Sequence, residues 1–107
     1  MDSAEKKSIC IDIDGTICSQ EIPENYSNAK PIEGALEALQ NIKKSGFNII
    51  LHTARHFNHW QTTKSWLKEH GFIYDEIVYG KPPAKYYIDD RSIVFDGKWD
   101  DVIDKIK

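Results

Sequence analysis

Residues 8–16 read Ser-Ile-Cys-Ile-Asp-Ile-Asp-Gly-Thr, and this stretch decides the fold. The run from Lys7 to Ile13 is apolar and carries β-branched residues, which predicts a buried strand, the first of a sheet. Asp14-Gly15-Thr16 is a turn signal that ends it. Two carboxylates, Asp12 and Asp14, therefore sit where a buried strand gives out.

Further along, residues 17–30 are polar and hold Pro23, Asn25, Ser27 and Asn28, so they read as an irregular loop. Pro31 opens a predicted helix, with Ile32, Ala35, Leu36, Leu39 and Ile42 at helical spacing and Gly46 ending it. Phe47–Leu51 is a second strand, followed by a loop His52-Thr53-Ala54-Arg55. A second helix covers about Asn58–His70, with Trp60, Thr63, Trp66 and Leu67 on one face. The third strand lies near Glu76–Val78, and Gly80-Lys81-Pro82-Pro83 breaks the chain after it. Lys85–Ile88 reads as a fourth strand ending at Asp89-Asp90. Ser92–Phe95 reads as a short strand and Lys98–Ile106 as a terminal helix. Strands alternating with helices predict an α/β fold with a mainly parallel sheet, and 107 residues suffice for a single domain.

In an open parallel sheet the carboxyl ends of the strands share one edge, where ligands bind. Asp12 and Asp14 follow strand one, Thr53 strand two, Lys81 strand three, and Asp89 and Asp90 strand four. Carboxylates gathered this way repel one another unless a cation joins them. Asp12, Asp14 and Asp89 or Asp90 offer hard oxygen ligands that suit Mg²⁺. A magnesium ion with open positions suits a phosphate ester. Thr53 offers a hydroxyl and Lys81 a point charge to phosphoryl oxygens. Gly15 lets backbone come close, and Ala54, beside Thr53, is grouped with it among the phosphate-binding positions. Of two aspartates two residues apart, one carboxylate can attack phosphorus while the other moves protons.

Ile-Asp-Ile-Asp-Gly-Thr, His-Thr-Ala-Arg, Gly-Lys-Pro and Ile-Asp-Asp-Arg, in that order, resemble the motifs of the haloacid dehalogenase superfamily. The overall length and the Tyr-Ile-Asp-Asp-Arg wording resemble its small capless phosphatases of bacterial capsule and surface-polysaccharide synthesis. The resemblance implies a Rossmann-like three-layer sandwich without a cap domain. It implies that Asp12 is the nucleophile and a metal ligand, and that Asp14 is the general acid/base with its carbonyl on the metal. Thr53 and Lys81 would hold phosphate, Asp89 would be the third metal ligand, and Asp90 would reach the metal through water. Only seven residues separate Lys81 from Asp89, where many members place a helix, so Lys85 is the alternative phosphate lysine. The expected activity is Mg²⁺-dependent hydrolysis of a small phosphorylated metabolite, a sugar phosphate. A phosphotransferase with another acceptor, or a non-catalytic phosphosugar-binding module, are the rival readings.

Composition limits the other classes. Hydrophobic residues make up 40% and charged residues 29%, an ordinary globular balance. The net charge is −3 and Lys/Arg form no stripe, so nucleic acid is not an expected partner. No apolar run reaches the roughly 20 residues that cross a bilayer, and Met1–Lys7 is polar and unlike a secretory leader. These features predict a cytoplasmic protein with no membrane partner. Cys10 and Cys18 match no zinc or redox spacing and read as reduced structural thiols. A missing cap and an aromatic-rich small surface point to a homo-oligomer. A calcium loop starting at Asp12 would need Gly and Glu where Ile17 and Pro23 stand. His52, His56 and His59 lack the carboxylate company of a metal motif and read as structural or rim residues. Arg91 is expected to pair with a carboxylate.

Overall fold

The computed structural model describes residues 7–106. The polar N-terminal stretch read above as no leader lies outside them, apart from Lys7. Three strands, β1 (Ser8–Asp12), β2 (Asn48–Thr53) and β3 (Glu76–Tyr79), form a parallel sheet in the order β1-β2-β3. Asp12 pairs with His52, and Thr53 with Tyr79. Helix α1 (Ala35–Lys44) carries the chain from β1 to β2, and α2 (Trp60–Glu69) from β2 to β3. Right-handed crossovers running in one direction across a sheet put both helices on the same face. The terminal helix α3 (Trp99–Ile106) packs against α1. No helix among the described residues is long and apolar enough to cross a membrane.

The core follows from side-chain period. Along β2 every second residue, Ile49, Leu51 and Thr53, is buried. Ile11 and Ile13 continue that face, and the helices bring Ala38, Leu39, Ile42, Trp66, Leu67, Trp99 and Val102 onto it. Each fully buried Leu or Ile contributes about 1.5–3 kcal/mol. Among the described residues sheet and helices thus make two filled layers of the α/β fold, and the third layer of the expected sandwich is not among them. The opposite face of the sheet carries Cys10, His52 and Val78, which are exposed or half-buried.

Several expectations change. Helix α1 begins at Ala35 rather than at Pro31. Pro31 forms an isolated bridge with Cys18, and the Ile32 N–H donates to the Ile17 carbonyl at 2.9 Å, which ties both residues to the preceding loop. Gly34, at φ +84°, makes the left-handed turn that only then releases the chain into a helix. Strand β2 runs on through His52 and Thr53, since both join the ladder. Residues 17–30 are ordered by their own contacts. Ile17 and Cys18 are fully buried, Pro23–Asn28 forms a 3₁₀ helix, and Trp66 Nε1 donates to the Ala29 carbonyl at 2.8 Å.

The fourth strand expected at Lys85–Ile88, and the short one at Ser92–Phe95, are absent from the described elements. Local contacts win in this segment. The Tyr87 hydroxyl donates to the Pro82 carbonyl and accepts from the Ala84 N–H, folding the chain back on itself, while Pro82 and Pro83 have no N–H to give a ladder. Ile88 is fully exposed as a result.

Candidate active site

The parallel register sets the carboxyl ends of all three strands on one rim. Asp12 is the last residue of β1. Its Oδ1 accepts from the Ile13 N–H at 2.9 Å, which fixes the carboxylate, and its Oδ2 lies 3.5 Å from Lys81 Nζ. Lys81 is held there by its own backbone, whose N–H donates to the Thr53 carbonyl at 3.0 Å, and by the Tyr87 ring, 4.4 Å from Nζ. The ammonium offsets the charge of the Asp12 carboxylate at the rim.

Asp14 stands just past the strand end, on the turn that Gly15 makes at φ +80°. Both of its carboxylate oxygens are gripped by Arg55, Nε to Oδ2 at 2.9 Å and a terminal guanidinium nitrogen to Oδ1 at 2.8 Å. Arg55 is only 3% exposed. Its other terminal nitrogen donates to Thr63 Oγ1 on α2 at 3.1 Å, and its guanidinium carbon lies 3.8 Å from the Tyr26 ring centroid. Burial works against the Arg55 charge, but the hydrogen bonds and charge of Asp14 outweigh it and hold the guanidinium above its ordinary pKa. Cys18 lies beneath this pair, its Sγ 3.9 Å from Asp14 Oδ1, and burial with the Asp14 charge pushes the thiol up to about 12.

Thr53 ends β2 and is fully buried. Its Oγ1 accepts from the Arg55 N–H at 3.0 Å and still has a hydroxyl proton to donate. Ala54, beside it, is exposed. The Gly15 N–H donates to the Cys18 carbonyl at 2.8 Å, and a Cβ there would lie 2.9 Å from Gln20 Oε1, so Gly15 serves the turn. His52, next to Asp12 in the ladder, is held below its ordinary pKa by burial and by the Lys81 charge, with Asp12 opposing.

Asp12, Asp14, Thr53 and Lys81 are therefore brought to one rim. Asp89 and Asp90 are not. They are exposed on the strandless 80–98 segment, where Asp89 Oδ1 accepts from the Arg91 N–H at 2.9 Å. That bond and the Asp90 side chain hold the Asp89 carboxyl below its ordinary pKa. Arg91 reaches Asp90 at 4.0 Å, the carboxylate pairing expected of it. Lys85 is exposed and faces the Tyr86 ring at 5.7 Å. Among the described residues no group of three or more His, Cys, Asp or Glu side chains could hold a metal ion. His56 caps the turn before α2, its Nδ1 accepting from the Asn58 N–H at 3.1 Å, and His59 packs edge-on against Tyr26.

Arg55 stands in the His-Thr-Ala-Arg motif, yet its grip on Asp14 is not apparent from the sequence. An arginine two residues after Thr53, on a chain with a buried strand before it, was the available signal. Tyr26 gave no signal, because its stacking on Arg55 joins residues 29 positions apart.

No family model matches the chain. A Bacillus cereus protein that carries a nucleotidase name is 32% identical over 84 residues, 66% of this chain, and the chain spans 44% of that protein's length. A structural-genomics target from Vibrio cholerae superposes with a TM-score of 0.71 at 27% identity, over 94% of this chain and 99% of that one. The D,D-heptose 1,7-bisphosphate phosphatase of B. bronchiseptica, crystallised with magnesium and phosphate, superposes with a TM-score of 0.57 at 16% identity, over 75% of this chain and 54% of that one. This chain has the haloacid dehalogenase-like fold. A chain of the Pnkp1/Rnl/Hen1 complex shares that fold, with a TM-score of 0.63 at 21% identity over 84% of this chain and 32% of that one. In this haloacid dehalogenase-like domain the rim of β1 and β2 bears the two aspartates of the first motif and the threonine of the second.

Proposed function

We propose that this chain is a Mg²⁺-dependent phosphate monoester hydrolase that works through an aspartyl phosphate on Asp12. The observation that carries the reading is the pair of aspartates with divided surroundings: Asp12 faces the Lys81 ammonium at the open rim, and Asp14 is locked by Arg55. Nucleotidase and heptose bisphosphate phosphatase are the names of a relative and of a structure with the same fold, and both substrates carry phosphate on a sugar. A small sugar phosphate is accordingly the proposed substrate. Two free cysteines suit a reducing compartment such as the cytoplasm.

Asp12 and the Asp14 carbonyl would hold Mg²⁺, an ion that takes one or two carboxylates and leaves its other positions to water and phosphate. Asp89 or Asp90 would join them by movement of the exposed residues 82–94, with Lys81 kept at the rim. When bound, the ion neutralises charge on the phosphoryl oxygens. Lys81 and the Thr53 hydroxyl orient the phosphoryl group. An Asp12 oxygen attacks phosphorus as the ester P–O bond breaks, and protonated Asp14 gives its proton to the leaving oxygen. Water then attacks the aspartyl phosphate, Asp14 takes the water's proton, and the bond between phosphorus and Asp12 breaks to release phosphate. Each Asp14 oxygen keeps a second lone pair for that proton while Arg55 holds the first. Phosphate release from p-nitrophenyl phosphate, with and without Mg²⁺, tests the reading. Asp12→Asn should abolish turnover in a protein that still folds, and turnover retained in that variant removes Asp12 as nucleophile.

A further inference from the structure

Beside the rim, between α2 and the outer edge of β3, lies a cavity of about 380 Å³ walled by Phe57, Trp60, Lys64, Ile77 and Tyr79, with Asp75 and Glu76 at its far end. This volume is within the range of small-molecule sites. The cavity's upper end meets the site already described. Tyr79 pairs with Thr53 in the ladder, and Phe57 follows Arg55 by two residues. Adjacent strands lie roughly 4.8 Å apart, so from Asp12 on β1 to Tyr79 on β3 is about 10 Å. That span suits a phosphate at one end and the far portion of the same ester at the other.

The lining defines what fits. Phe57 is 63% exposed and Trp60 40%, large aromatic surface left to water beside a polar site. Phe57 and Tyr79 already meet edge to face, with centroids 5.4 Å apart, and Lys64 Nζ lies 5.9 Å from the Trp60 ring. Asp75 is paired with Lys43 at 2.7 Å, which leaves one cation, Lys64, and one other anion, Glu76, in the lining, so the cavity carries no surplus positive charge for a second anion. Aromatic walls of balanced charge accept a flat, uncharged ring. The Tyr79 hydroxyl is buried and has no hydrogen-bond partner among the described residues. A ring with polar edges that reached that hydroxyl would supply the missing partner.

We propose that this cavity is the leaving-group subsite, and that it takes the heterocyclic ring of a nucleoside monophosphate. The proposal rests on the phosphatase reading of the rim and narrows its sugar phosphate to one whose sugar bears an aromatic base. The kinetic test compares kcat/KM for nucleoside 5′-monophosphates with that for ribose 5-phosphate, the same phosphate on the same sugar without the ring. A preference of tenfold or more for the nucleotide is expected. It should shrink several-fold in Phe57→Ala and Trp60→Ala and be retained in Phe57→Tyr. Equal values for the two substrates, or a preference unchanged by both alanine variants, overturn the subsite.

Binding is read separately, so that failure of the chemistry does not hide the answer. Trp60 is exposed, whereas Trp66 and Trp99 are buried at 3% and 4%. Adenosine, which has no phosphate, should therefore quench tryptophan fluorescence saturably in the wild type and not in Trp60→Phe. If no substrate releases phosphate but adenosine still quenches, the hydrolase reading fails and the ring site stands. If phosphate is released but adenosine does not quench, the ring site fails alone.

Discussion

Arg55 and Asp14 form a two-pronged ion pair, at 2.9 and 2.8 Å, between residues 41 positions apart in the chain. The guanidinium is almost wholly enclosed, and its other contacts go to Thr63, the Tyr26 face and Cys18 Sγ. The orientation of the Asp14 carboxylate is thus set by the second motif and not by the first.

Removing Arg55 should be costly in two ways. Arg55→Ala leaves Asp14 without its partner, and breaking a buried pair from one side costs about 3–5 kcal/mol, less a discount for the partial exposure of Asp14. Urea titration should show a large loss of stability. Arg55→Lys keeps the charge but loses the fork geometry. In that variant kcat should fall more than tenfold with little change in KM, because Asp12 and Lys81 are untouched. Wild-type kcat in Arg55→Lys would show that the pair is structural only.

The two thiols should react very differently. Cys10 is exposed, and Cys18 is buried with its thiol pushed up to about 12. A thiolate is needed for attack on a disulfide reagent. Titration of the native protein with such a reagent at pH 7.5 should count one thiol, and titration in denaturant two, with Cys10→Ser removing the native one. Two fast native thiols would contradict the burial of Cys18.

Stability should weaken on mild acidification, in part through His52. Burial and Lys81 lower its folded pKa below the ordinary value of 6.5, so the unfolded chain binds the extra proton first. The contribution from the neutral imidazole is complete above about 6.5 and is lost as the pH falls from there toward the folded value. The urea midpoint should therefore drop over that window, and His52→Gln should flatten the drop. An unchanged slope in His52→Gln would remove the residue from the account.

Gly34 should resist replacement. It has φ +84°, and a Cβ there would sit at ordinary contact distance from Trp99, 3.5 Å, so strain and not crowding decides the cost. An L-residue in the left-handed region costs roughly 1–2 kcal/mol. Gly34→Ala should lower the unfolding free energy obtained from urea titration by that amount, and a neutral or stabilising result would mean that α1 starts earlier than Ala35.

Much of the fold was legible along the chain. The strand that ends at Asp12, the strand through Ile49 and Leu51, the helix containing Trp66 and the terminal helix follow from apolar spacing and Gly breaks, because those signals are local, although the second strand runs two residues further, to Thr53. The helix start at Pro31 misled. A proline fits a first helical turn, but it fits a bridge to Cys18 equally well, and only the packing of residues 17–30 chose between them. The apolar letters of Lys85–Ile88 misled in the same way, since a strand exists only where a ladder receives it, and here the Tyr87 hydroxyl turns the segment back on itself.

The sequence by itself determined the α/β class, the parallel order of strand and helix, and the arrival of Asp12, Asp14, Thr53 and Lys81 at the strand ends. Those outcomes depend on periodicity and on the geometry common to all parallel sheets. Tertiary structure alone decided that Arg55 grips Asp14 over the Tyr26 ring, that Asp89 and Asp90 stand away from the rim, and that Phe57, Trp60 and Tyr79 enclose a cavity beside it. Such relations join residues from separate elements, and the distance between them is set by how the helices pack on the sheet, which no local pattern records.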